Sequence, residues 1–159
     1  MAAPLFFVFV LVLACAEVDA RVLRLRVDRR EALLEGKPFG LAGSYEKLVG
    51  KVDFVLDPEL PANHAVVDLA LAPRNENGEV ELEADFYLLK PVDPARGNGV
   101  LFYEAGNRGR KRILPVFQSG SPSDDPTSEA DMGNWSLMVQ GFSLLWMGWQ
   151  WDVPEGRMR

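Results

Sequence analysis

The sequence predicts an α/β fold in which antiparallel β-hairpins lead into a parallel strand–helix–strand unit. Three observations carry that expectation. Residues 100–104 (Val100-Leu101-Phe102-Tyr103-Glu104) and 142–147 are short apolar runs, each preceded by glycine, the pattern of strands buried on both faces of a parallel sheet. Residues 131–140 lie between them and suit a helix that Gly141 breaks. Residues 79–88 alternate: Val80, Leu82, Ala84, Phe86 and Leu88 are apolar, while Glu79, Glu81, Glu83 and Asp85 are acidic. That is the period of a half-buried antiparallel strand.

In chain order, residues 1–20 read as a signal peptide and residues 21–159 as the domain proper. Leu5 to Ala14 form an apolar run of signal length. Small residues then offer cleavage after Ala16 or after Ala20. A spanning segment needs about 20 apolar residues, more than this stretch supplies. The expected location is therefore secreted or periplasmic, with membrane contact only through the signal segment. A retained anchor is one other reading. A lipoprotein is another, because Val12-Leu13-Ala14-Cys15 loosely resembles a lipobox. Cys15 is the only cysteine, so a cleaved chain has no disulfide, no cysteine nucleophile and no thiolate metal site.

Residues 22–28 alternate as a half-exposed strand, and Glu35-Gly36-Lys37-Pro38 is a turn. Residues 39–48 read as loop with a helical turn, interrupted by Gly40 and Gly43. Val52, Phe54 and Leu56 mark a strand that Asp57-Pro58 stops. Residues 64–71 are a further strand candidate, which the loop Pro73-Arg74-Asn75-Glu76-Asn77-Gly78 would join to residues 79–88 as a hairpin. Residues 117–131 are polar and read as an exposed loop.

At 159 residues and 48% hydrophobic content, the chain can bury the core of one domain. Its formal net charge is −6, and no basic run is longer than Arg108-Gly109-Arg110-Lys111-Arg112. That balance argues against a nucleic-acid partner.

Most residue types that carry chemistry have a plain reading here. Gly141-Phe142-Ser143-Leu144-Leu145 lacks the second glycine of a nucleophile elbow, and Ser143 falls inside a strand. His64 is the only histidine, which excludes the common zinc sets and points to a surface or edge position. The acidic row at 79–85 reads as a solvated strand face, with residues of one face about 7 Å apart. Asp124-Asp125 lacks further ligands at calcium-loop spacing. No metal or other cofactor is called for.

The better candidate follows the first apolar run. Gly106 and Gly109 flank Asn107-Arg108 and would let backbone N–H groups point at a ligand. In sheets with parallel strands, ligands sit beyond the strands' carboxyl ends. The loop Asn107, Arg108, Gly109 and the segment Trp149, Gln150 are therefore the candidate site, the first as oxyanion-loop residues and the second as a substrate wall. An ordinary turn and a packed tryptophan are the plain alternatives. Trp146, inside the second run, is expected in the core.

Several segments together resemble a known family. They are residues 39–50, residues 67–75, residues 88–99, Asn107-Arg108-Gly109 and Gly148-Trp149-Gln150. In this order they are similar to the mostly secreted bacterial proteins described as alpha/beta hydrolase domain-containing. The resemblance spans residues 21–152. It implies the N-terminal part of an α/β-hydrolase fold, incomplete, in a serine hydrolase acting on a carboxylic ester or related acyl substrate. Nucleophile, acid and histidine come later in such chains, so none falls on a residue here. This chain is then an inactive N-terminal portion, truncated before the nucleophile elbow, whose partner in the full-length protein is a small acyl substrate. The alternative is a secreted, non-catalytic β-rich binding module, suggested by the strand-rich first half and by Trp149 and Trp151.

Overall fold

The computed structural model describes residues 20–159. The expected signal segment, its cleavage sites and Cys15 lie outside the described residues, Ala20 excepted. The described chain forms one mixed sheet of five strands: β1 (Ala20–Ala32), β2 (Tyr45–Leu56), β3 (Val80–Pro91), β4 (Leu101–Ala105) and β5 (Ser143–Met147). Their spatial order is β1-β2-β3-β5-β4. β1, β2 and β3 pair antiparallel, β3 pairs antiparallel with β5, and β4 pairs parallel with β5. Three short helices follow β4: α1 (Ile113–Phe117), α2 (Glu129–Met132) and α3 (Ser136–Val139).

This corrects the expected fold class. The chain is a small β-rich domain, not the N-terminal part of an α/β-hydrolase fold. Strands of 13, 12 and 12 residues dominate it, whereas the helices have five, four and four. The parallel β4–β5 pair is present, but no continuous crossover helix joins it. Residues 131–140 do not form one helix because the chain reverses at Gly133, with φ 61°, and Trp135, with φ 60°. A Cβ at Gly133 would lie 2.0 Å from the Gln118 carbonyl oxygen, so only glycine fits. Gln118, fully buried, holds the break: its side-chain oxygen accepts from the Leu137 N–H at 2.7 Å and its amide donates to the Met132 carbonyl at 3.2 Å. Upstream, Ser128 and Asp131 form a reciprocal capping box that starts α2. Of residues 117–131, expected as one exposed loop, 118–128 are irregular, but Phe117 ends α1, residues 129–131 belong to α2 and Gln118 is buried.

Two further expectations fail. Residues 64–71 are not a strand. They run through 3-10 turns, with Asp68 left-handed at φ 60° and Val67 85% exposed. β3, the strand they were expected to pair with, is flanked by β2 and β5, so residues 64–71 have no place beside it, and the antiparallel partner that precedes β3 is β2. Residues 45–48, read as loop, belong to β2.

The face of β3 also differs from the alternation. Phe86 is buried as expected, but Leu82 is 47% exposed, and Tyr87 and Leu89 join the main core instead. These two have the parity of the acidic residues. The acidic row thus occupies the open end of a face that becomes core from Tyr87 onward. There Tyr45, Tyr87, Leu89, Leu144 and Trp146 meet Ile113, Leu114, Met132 and Met138 from the helices. Each such side chain contributes about 1.5–3 kcal/mol on full burial. Tyr87 meets Trp146 edge to face at 5.6 Å. The Tyr45 hydroxyl donates towards the carbonyls of Met138 (3.0 Å) and Phe142 (2.9 Å), fixing the end of α3 to β2; burial pushes this phenol's pKa upward.

Candidate functional site

β4 and β5 run side by side in the same direction, so the loops after them leave the sheet at one edge. Beyond Ala105 the chain makes a 3-10 turn, Asn107–Gly109, with Arg108 left-handed at φ 52° and Gly109 at φ 71°. A non-glycine residue in this region costs roughly 1–2 kcal/mol. Three hydrogen bonds to the loop after β5 hold Arg108 there. Its backbone N–H donates to the Gln150 side-chain oxygen at 2.7 Å. Its guanidinium donates to the Asp152 carboxylate at 3.1 Å and to the Asp152 carbonyl at 2.8 Å. The Trp149 indole N–H donates to the Gly106 carbonyl at 2.8 Å.

The structure therefore brings together the five residues singled out from the sequence: Asn107, Arg108, Gly109, Trp149 and Gln150. It also changes their roles. The Arg108 N–H is taken by Gln150, so it is not a free oxyanion donor in this arrangement. Gly109 is a packing position, because a Cβ there would lie 2.5 Å from the Met158 carbonyl oxygen. Trp149 remains 63% exposed although its nitrogen is anchored, and Trp151 is 86% exposed. Trp146 is fully buried, as expected.

Two residues that the sequence reading passed over organise the site. Asp152 closes the bridge to Arg108. Glu104, at the end of β4, accepts from the backbone N–H groups of Arg112 (2.8 Å) and Ile113 (2.9 Å) and from the Trp146 indole (2.6 Å). An acidic residue ending an apolar strand was the available signal.

The other candidates keep their plain readings. Ser143 lies in β5, and His64 is exposed on the 57–79 connection. Among the described residues no serine is hydrogen-bonded to a histidine, and no group of three or more His, Cys, Asp or Glu residues is placed to hold a metal ion. Three of the four acidic residues are matched by cations: Glu79 pairs with Arg21 at 2.6 Å, Glu83 with Arg26 and Lys51, and Asp85 with Lys51 at 3.4 Å, while Glu81 accepts from the Asn75 side-chain amide at 3.0 Å. Asp125 lies 3.3 Å from Lys47 and 3.5 Å from Arg29.

No family model matches the chain, and no curated protein or solved structure is significantly similar to it.

Proposed function

We propose that the chain contributes part of the substrate site of a secreted serine hydrolase acting on a carboxylic ester or related acyl group, with nucleophile, acid and histidine supplied from outside this sequence. The observation that carries the reading is the convergence of Asn107–Gly109 with Trp149, Gln150 and Asp152 beyond the carboxyl ends of the two parallel strands. The ordered motifs described above support it independently. The chain's part is to build a wall: the Arg108 bridge fixes the loop, and the Trp149 ring presents an apolar surface. Serine attack, proton transfer through histidine and an oxyanion held by N–H groups would belong to residues elsewhere. Reading the locus past the codon for Arg159 tests this. An in-frame glycine-flanked serine followed by an acid and a histidine is the expected result; a frame without them overturns it.

A second reading, a non-catalytic secreted binding module, is favoured by one observation. Trp149 and Trp151 expose indole surface two residues apart, and the first is anchored through its nitrogen. Such a platform suits stacking on a sugar or an aromatic ligand. Saturable glycan binding that is lost in Trp149→Ala, without labelling of the native secreted product by a serine-directed fluorophosphonate, would select it.

A further inference from the structure

The basic run that follows the candidate loop has no part in that reading, yet it lines a cavity of its own. A cavity of about 290 Å³ is bounded by Arg110, Lys111, Arg112 and Arg157, with Asp124 as its one carboxylate and Pro115 and Pro122 among its walls. Four cations against one acid give this lining a formal charge of +3, on a chain whose net charge is −6. Asp124 is already engaged, since its carboxylate pairs with Arg157 at 3.3 Å and its carbonyl accepts from Lys111. Among the described residues, no carboxylate lies within ion-pair distance of the side chains of Arg110, Lys111 or Arg112. Lys111 is only 6% exposed, with its ammonium 4.6 Å from the centre of the Tyr87 ring.

Lys111 donates to the Asp124 carbonyl and feels the carboxylates of Asp124, Asp125 and Asp85, so the cations of this lining left without an ion-pair partner are the exposed guanidinium groups of Arg110 and Arg112, one on either side of it. The segment is also held in place. Glu104 accepts the backbone N–H groups of Arg112 and Ile113, so the run does not need to be ordered by a ligand. Guanidinium forks match the oxygens of a phosphate two at a time. The cavity exceeds the size of a bare phosphate, and its proline walls suit a small organic group.

We infer that the Arg110–Arg112 cavity is a binding site for a small phosphate-bearing anion. The ligand's oxygens face the guanidinium groups of Arg110 and Arg112, Lys111 and Arg157 add positive charge to the lining, and the ligand's organic part, where there is one, lies against Pro115 and Pro122. The site lies on the segment that leads out of the candidate loop.

Calorimetric titration of the purified chain at fixed ionic strength tests the inference, with inorganic phosphate, pyrophosphate and glycerol 3-phosphate as probes. Saturable binding of at least one probe, with Kd on the order of 1 mM or tighter, is expected. Arg110→Gln/Arg112→Gln, both at exposed positions, should weaken it about tenfold or more, while Arg24→Gln, at a distant ion pair, should leave it unchanged. Tighter binding of glycerol 3-phosphate than of inorganic phosphate identifies an organic phosphate as the natural ligand; equal or weaker binding identifies the free anion. Absence of saturable heat with all three probes overturns the proposal, and so does equal binding by the double variant. Because these readouts involve no ester turnover, the result stands apart from the hydrolase reading.

Discussion

Glu104 and Trp146 face each other in register across the parallel pair, and the Trp146 indole donates to the Glu104 carboxylate at 2.6 Å. The same oxygen takes the backbone N–H groups of Arg112 and Ile113. One acidic side chain thus joins the core of β5 to the segment that starts α1. Glu104→Leu would leave three N–H groups unpaired, each costing about 1–3 kcal/mol where buried. Urea unfolding is expected to show a loss of about 3 kcal/mol or more, and a smaller loss for Glu104→Gln, whose oxygen still accepts. Equal stability of the leucine variant and the wild type would refute this.

Acid should unfold the protein through a few specific carboxylates. Burial alone would raise the Glu46 carboxyl, but hydrogen bonds and charge from Arg30 and Lys90 outweigh it and hold it below its usual range. Burial likewise opposes, and Lys47 and Arg29 overcome, at Asp125. With the folded-state pKa lowered, the folded protein binds fewer protons than the unfolded chain. The stabilisation is complete above about pH 5 and is lost as pH falls through the unfolded value near 4 to the lower folded value. Thermal melts from pH 7 to 3 should show this loss, and it should be shallower in Glu46→Gln, which starts about 1–3 kcal/mol less stable.

Lys111 predicts the opposite dependence at high pH. Burial pushes its ammonium down to about 8, against the opposing pull of Asp124, Asp125 and Asp85 and with Arg29 adding to the depression. Between about pH 8 and 10.5 the unfolded chain binds more protons than the folded protein. This lysine's penalty is therefore fully present below pH 8 and is relieved as pH rises to about 10.5. Comparison with Lys111→Met cancels the tyrosine contributions. The wild type should gain stability relative to the variant across that interval, by an amount of order 2 kcal/mol, and a flat difference would contradict the assignment.

Two glycines with similar φ should respond differently to alanine. Gly36, with φ 84°, has open space around it, whereas at Gly133 a Cβ meets the Gln118 carbonyl oxygen at 2.0 Å. Gly36→Ala should cost about 1 kcal/mol from backbone strain. Gly133→Ala should cost at least about 2 kcal/mol more, because a backbone contact and the Gln118 hydrogen bonds must shift with it. Parallel denaturation curves of the two variants decide the matter.

The chain alone should not turn over an activated ester above a heat-treated control. Arg108 spends its N–H on Gln150, and no serine–histidine pair exists among the described residues. Turnover that survives purification to homogeneity would contradict this.

Much of the local structure was legible in the residues. Apolar runs marked β4 and β5, and the alternation at 79–88 placed β3. The glycine-flanked Asn107-Arg108 and the tryptophans after Met147 marked the two loops that meet. Each of these depends on near neighbours: a period of two, a breaker, or a residue type that tolerates positive φ. The fold class was not legible in the same way. Helical composition at 131–140 said nothing of the buried Gln118, whose carbonyl and side chain make the turn at Gly133 better than a continued helix. Residues 64–71 have the composition of a strand, yet both places beside β3 are filled, by β2 and β5.

What the sequence by itself determined is which segments extend, which loops turn sharply and which residues end the parallel strands. Only the tertiary structure decided that Tyr87 and Leu89, not Leu82, face the core, and that Asp152 and Gln150 lock Arg108. It also decided that three cations of a basic run have no carboxylate at ion-pair distance. Those outcomes depend on which distant groups arrive at the same point: a face is buried only where another layer covers it, and a charge is paired only where its counterpart lies within reach.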